Sequence, residues 1–112
     1  MVKIYGIKNC GTVKKALRWL EEAGCEYEFI AYKNAAVLDA RLKEWLIRAG
    51  WQTLLNTRGL TWKKLEAAER EKLDAEKAEQ LMRRYPTLIK RPILERDGEI
   101  IVGFDAERYA GK

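Results

Sequence analysis

Two cysteines, Cys10 and Cys25, and the absence of any histidine frame the chemistry open to this 112-residue chain. A cysteine reacts as its thiolate, and the surroundings of Cys10 favour that form. It lies within Tyr5-Gly6-Ile7-Lys8-Asn9-Cys10-Gly11-Thr12-Val13-Lys14-Lys15. An apolar run ends just before it and an amphipathic one begins just after. Ahead of the thiol, Val2, Ile4 and Tyr5 have β propensity and Gly6 stops the run. Beyond it, Val13, Ala16, Leu17 and Leu20 recur at the spacing of one helix face, with Lys14, Lys15, Arg18, Glu21 and Glu22 on the others. Asn9 and Thr12 are the candidate caps. Cys10 thus falls where a helix start offers unpaired N–H groups and the positive end of its dipole. Lys8 and Lys14 add positive charge. The plainer alternative is a small apolar residue, a common role for free cysteine, but the features together point to a reactive thiol.

What the chain lacks narrows the chemistry further. Without histidine there is no imidazole base, no Cys-His pair and no His-containing metal site. Cys25 follows the end of the predicted helix. About fourteen residues at roughly 1.5 Å each separate the two sulfurs by about 20 Å. A disulfide needs Cα atoms within about 7 Å. Cys25 therefore reads as a buried structural thiol opening the second strand, and any sulfur partner for Cys10 comes from outside the chain.

The remaining elements follow from periodicity. Gly24 ends the first helix, and Tyr27-Glu28-Phe29-Ile30-Ala31-Tyr32 alternates as a second strand. Strand, helix and strand in that order imply a right-handed crossover and a parallel pair. Lys33-Asn34 begins a connection. Leu38, Leu42, Trp45, Leu46 and Ala49 then form a helix face closed by Gly50. Leu54 and Leu55 suggest a short helical turn, Asn56-Thr57-Arg58-Gly59 a loop, and Thr61 the cap of a helix carrying Trp62 and Leu65. Asp74 caps a helix with Ala78, Leu81 and Met82 facing inward, and Tyr85-Pro86 ends it. Residues from about 34 to 86 are thus mainly helical. Pro92-Ile93-Leu94-Glu95 and Glu99-Ile100-Ile101-Val102 flank Arg96-Asp97-Gly98 as a hairpin with an Asp-Gly turn. A short helix from Asp105 to about Ala110 follows. The whole reads as one α/β domain, a mixed four-stranded sheet with helices on its faces.

Composition sets the outer limits. A hydrophobic fraction of 47% and a charged fraction of 35% are those of a globular protein. No apolar run nears the roughly 20 residues of a membrane span. The chain enters a strand with no apolar leader, so the expected location is the cytoplasm. The net charge of +5 comes from 22 basic and 17 acidic residues. These alternate along the predicted helices and form no dense tract, so a solvated surface is expected rather than a nucleic-acid interface.

The order of elements, the lone cysteine after the first strand and the proline opening the third resemble the thioredoxin fold. Within that fold the chain is similar to the arsenate reductase (ArsC)/Spx-like family, above all its YffB-type branch. The stretch around Cys10, Leu54-Leu55-Asn56-Thr57-Arg58-Gly59, and Pro86-Thr87-Leu88-Ile89-Lys90-Arg91-Pro92-Ile93-Leu94 carry the match. The resemblance implies a thioredoxin-like domain over residues 1–112, with a helical insertion between the second and third strands. It also implies Cys10 as nucleophile and a cis bond at Arg91–Pro92, with Arg91 beside the sulfur and Pro92 facing it. Asn56 and Gly103 stand near positions where arsenate-reducing members carry further arginines. Val13 occupies the second position of the Cys-x-x-Cys switch of Spx-like regulators, so an internal switch is absent. Gly50 falls near the glycine through which those regulators contact RNA polymerase, but it reads first as a helix cap, where glycine is common.

The expected function is an ArsC-like thiol oxidoreductase reducing a disulfide or an arsenate-like oxyanion. Cys10 attacks, and Lys8, Asn9, Gly11 and Thr12 surround it. Arg91, Pro92 and a second candidate cation, Arg58, complete the substrate or glutathione site. An arginine fork suits a carboxylate, an oxyanion or a thiolate. No tightly bound cofactor is expected. Glutathione, a small acidic thiol matched to Lys8, Arg91 and a basic protein, is the expected co-substrate. A monomer is expected. The competing expectation is a regulatory module that docks on RNA polymerase or another protein without turnover, with Trp51 or Trp62 at its surface.

Overall fold

The computed structural model describes residues 1–32 and 34–111. Lys33, where a connection was expected to begin, lies outside them. The elements run in the order β1 (Val2–Gly6), α1 (Gly11–Glu22), β2 (Tyr27–Ala31), α2 (Ala35–Ala49), α3 (Trp51–Leu54), α4 (Leu60–Lys64), α5 (Ala67–Arg70) and α6 (Ala75–Arg84). A 3-10 turn at Pro86–Leu88, the strands β3 (Ile93–Arg96) and β4 (Glu99–Val102), and α7 (Ala106–Tyr109) complete the chain.

The sheet has the order β2-β1-β3-β4, with β1 parallel to β2 and antiparallel to β3. Side chains alternate across a strand, so β1 serves two cores. Ile4 points to one side, where it packs with Ala16 and Leu20 of α1, Leu94, Ile101 and Tyr109. Tyr5 points to the other, into a larger core with Leu42 and Trp45 of α2, Ala78 and Met82 of α6, and Ile89. The helical insertion thus covers one face of the sheet, and α1 and α7 cover the opposite one.

Helix boundaries follow local chemistry. Asn34 caps α2 by accepting from the Ala36 N–H at 2.9 Å, and Gly50, at φ 84°, closes it with an N–H bond to Leu46 O. Asp74 caps α6 by accepting from Lys77 N at 2.8 Å. In the hairpin turn Asp97 and Gly98 both have positive φ, 50° and 81°, the backbone that a two-residue type I′ loop demands.

Three local expectations are corrected. Cys10 itself is the N-cap residue of α1, in place of Asn9 or Thr12. Gly59, not Thr61, caps α4; Thr61 lies inside that helix and its hydroxyl is 2.6 Å from the Thr87 hydroxyl. The third strand begins at Ile93 rather than Pro92, in keeping with the N–H that proline lacks for a ladder. Leu55 leaves α3 to form an antiparallel bridge with Ile89. Asn56 N to Leu88 O at 2.7 Å and Lys90 N to Leu54 O at 2.9 Å flank that bridge.

Candidate thiol site

The loop after β1 delivers Cys10 to the carboxyl end of the parallel strands. Gly6 makes this possible: a Cβ there would stand 2.9 Å from Val13 Cγ2. Glycine lets the first turn of α1 lie close against the end of β1. Val13, an apolar residue with no solvent exposure, then anchors that turn in the fold.

As N-cap, Cys10 has extended backbone, φ −108° and ψ 126°, and its C=O accepts from Lys14 N at 3.0 Å. The thiol occupies the place where a serine or aspartate cap would accept from the second and third helical N–H groups. No strict cap hydrogen bond forms, yet the Val13 and Thr12 N–H groups act on the sulfur. Burial opposes its ionisation. The Val13 N–H, the Arg91 guanidinium and the Thr12 N–H outweigh that effect, and the thiol is held below its ordinary pKa.

Arg91 reaches this place from the other side of the site. Its peptide bond to Pro92 is cis. Pro92 is buried, and its C=O accepts from Gly103 N at 2.8 Å. The Arg91 Nη1 donates to Tyr32 OH at 3.4 Å and to Thr87 O at 3.3 Å. Among the described residues it pairs with no carboxylate. Its charge is answered by a phenol, a carbonyl and the Cys10 sulfur, so the guanidinium keeps capacity for an anion.

Tyr32 is the member that sequence reasoning missed. It reads as the last residue of the second strand, but it follows β2 and is almost fully buried. Its N–H bonds to Gly6 O at 3.2 Å, which ties it to the loop carrying Cys10. Its hydroxyl also donates to Ile89 O at 3.4 Å. Burial raises its pKa against the lowering pull of Arg91, so the neutral phenol can orient the guanidinium at physiological pH. The signal was present in principle. A polar tip at the carboxyl end of a strand parallel to β1 must end near the turn after β1.

The remaining predicted residues divide. Lys8, Asn9, Gly11 and Thr12 are all exposed around Cys10, and Thr12 acts on it through its N–H. Arg58 is not brought to the thiol. It is exposed and lines a separate cavity of about 480 Å³ with Trp51, Gln52, Thr57 and Lys90. Asn56 lies between the two places; its Oδ1 accepts from Arg58 N at 3.0 Å. Gly103 takes φ 79° after β4. The cavity beside Arg91 measures about 260 Å³ and is lined by Ile7, Asn56, Leu60, Thr61 and Trp62.

Both cysteines are free. The 12 residues of α1 stand between them, a rise of about 18 Å. Cys25 is half-buried rather than sealed, precedes β2 by two residues and packs on the core around Ile4 and Tyr109. Among the described residues no cluster of His, Cys, Asp and Glu could hold a metal ion. No helix there is long and apolar enough to cross a membrane.

Comparison with known proteins agrees with this geometry. The model of the ArsC family matches residues 5–111. The chain superposes on the solved structure of a YFFB protein with a TM-score of 0.92 at 43% identity, covering 99% of this chain and 97% of that one. The solution structure of an arsenate reductase (ArsC) related protein from Brucella melitensis matches with a TM-score of 0.80 at 44% identity, over 98% and 92% of the two chains. The global transcriptional regulator Spx of Listeria innocua is 29% identical over 110 residues, 96% of this chain and 82% of that protein.

Proposed function

The chain belongs to the ArsC family, and on that premise we propose that it is a thiol oxidoreductase with Cys10 as nucleophile and an external thiol to complete its cycle. One observation carries this reading: an ionisable sulfur at a helix start, beside an arginine that no carboxylate among the described residues neutralises. Cys10 thiolate attacks one sulfur of a disulfide R–S–S–R′. The new Cys10–S–S–R bond forms as the old S–S bond breaks, and R′–S⁻ departs and takes a proton from water. A second thiol, as its thiolate, attacks the mixed disulfide, restores Cys10 and leaves joined to R. The substrate sulfur of R′ is thereby reduced and the incoming thiol oxidised.

The family resemblance admits a disulfide or a tetrahedral oxyanion as oxidised substrate. The residues favour the disulfide. Asn56 offers an amide and Gly103 no side chain where a multiply charged oxyanion calls for cations. The completing thiol is of glutathione's class, small and anionic, matched to Lys8 and Arg91. A reducing compartment such as the cytoplasm supplies it.

The test is the pH dependence of Cys10 alkylation together with glutathione-coupled turnover in wild type, Cys10→Ser and Cys25→Ser. The expected midpoint lies below the roughly 8.5 of an ordinary thiol. Cys10→Ser abolishes turnover and Cys25→Ser leaves it largely intact. Equal loss in both variants contradicts the external-thiol scheme.

A second reading, a regulatory module, draws on the similarity to Spx and on an apolar groove lined by Leu46, Ile47, Gly50 and Trp51. Stoichiometric binding to purified RNA polymerase, unchanged by Cys10→Ser, is its distinguishing result.

A further inference from the structure

We infer that the oxidised substrate is an organic disulfide with an anionic group near its sulfur and an apolar arm, and that Leu60 and Trp62 select that arm. The inference rests on the thiolate reading of Cys10 given above and adds the substrate class. Arg91 joins two places: its guanidinium acts on the Cys10 sulfur, and the residue is also part of the wall of the neighbouring cavity. A substrate anchored to Arg91 by an anion therefore has its remainder beside that cavity. At about 260 Å³ the space is many times the roughly 30 Å³ share of one water, and it approaches the lower bound of organic-ligand sites, about 300 Å³. A bare tetrahedral oxyanion would leave most of it unfilled.

The lining argues for the chemistry of the arm. Leu60 opens α4 and is 73% exposed, one of three large apolar side chains so placed among the described residues. No residue of α4 is buried, so the helix does not owe its apolar residues to the core alone. Trp62 packs on the larger core and also lines the cavity, as does Ile7. The wall is also fixed to the anchor. The Thr61 hydroxyl meets that of Thr87 at 2.6 Å, and the Thr87 carbonyl holds Arg91. Anion anchor and apolar wall therefore keep one geometry relative to the thiol. That arrangement reads a molecule with a charged end and an apolar end. Scattered apolar exposure needs no such register.

The experiment compares second-order rates of mixed-disulfide formation at Cys10 with two disulfides of equal charge, dithiodibenzoate and dithiodipropionate. Each rate is divided by that of N-acetylcysteine thiolate with the same reagent, which removes intrinsic reactivity. The expected normalised preference of wild type for the aryl disulfide is about tenfold, the worth of one well-made aromatic contact. Trp62→Ala removes most of that preference by lowering the aryl rate much more than the aliphatic one, and Trp62→Phe keeps it. Leu60→Ser, a change at an exposed position that the fold tolerates, lowers it about two- to threefold. A preference equal in wild type and Leu60→Ser, or a loss that strikes both disulfides alike, overturns the inference. If wild-type Cys10 reacts with neither reagent faster than N-acetylcysteine, the thiolate reading itself fails, and the arm selection with it.

Discussion

Two arginines, Arg41 on α2 and Arg91 just ahead of β3, differ in what answers their charge. Arg41 of α2 meets Glu95 of β3 through two nitrogens, each at 2.8 Å. The same carboxylate accepts from Trp45 Nε1 at 2.7 Å and from Tyr5 OH at 3.2 Å. Both carboxylate oxygens of Glu95 accept, and the charge of Arg41 is answered inside the fold. Arg91, just ahead of β3, has among the described residues only a phenol and a carbonyl besides the Cys10 sulfur. The first arrangement is closed and holds α2 to the sheet. The second is open and leaves a cation exposed to whatever anion arrives. A paired charge locks architecture; a cation short of its anion is available for chemistry.

The largest test of this contrast is Glu95→Ala. It leaves the Trp45 indole N–H, on a side chain with no exposure, without a partner. Arg41 is itself a third exposed, so solvent softens its share. The expected loss of stability is about 2–3 kcal/mol by chemical denaturation. Cys10 alkylation should be unchanged in the protein that remains folded. A change in thiol reactivity would mean that the two places are coupled.

Arg91→Ala should do the reverse. Thiolate formation loses one charge-assisted contact, so the alkylation midpoint moves up. The rate at neutral pH falls about tenfold, the equivalent of 1.4 kcal/mol. The melting temperature should hardly move. An Arg91→Ala protein that unfolds as readily as Glu95→Ala erases the distinction between open and closed.

The smallest effect sharpens the closed side. Burial first and the Glu95 charge second push the Tyr5 pKa up to about 12. The unfolded phenol titrates near 10. A raised pKa in the fold supplies stability that is complete below pH 10 and is lost as pH rises through 12. Tyr5→Phe costs about 1 kcal/mol at neutral pH, one hydrogen bond, and flattens this alkaline arm. Denaturation midpoints at pH 8 to 11.5 for the two proteins should therefore converge. Parallel curves would place the alkaline transition elsewhere.

Much of the fold was legible because its signals are local. The apolar spacing of Leu38, Leu42 and Trp45 gives α2 its buried face, Asp74 caps α6, and Asp97-Gly98 turns the hairpin. Ala67–Arg70 was not read as a helix, since four residues carry no period to detect. Thr61 was misread as a cap because its polarity serves a long-range contact with Thr87 instead. At the site, Cys10 and Arg91 were legible from residue type and family pattern. Arg58 lines a neighbouring cavity instead, since a loop arginine's direction is not written in its neighbours. Tyr32 and the Glu95 cluster were missed because each joins elements far apart in sequence: Glu95 is 54 residues from Arg41 and Arg91 is 59 from Tyr32.

By itself the sequence determined that a strand yields to a helix at Cys10, that no histidine assists it, and that Cys25 stands a helix length away. These depend on residue type, on short-range periodicity and on the fixed rise of a helix. Only the tertiary structure decided which of the 22 basic residues answers the sulfur and which is spent on Glu95. It also decided that Leu60 and Trp62 flank the result. The physical reason is that electrostatic interaction depends on distance and burial through space. Chain separation constrains neither once the sheet has brought β1 and β3 side by side.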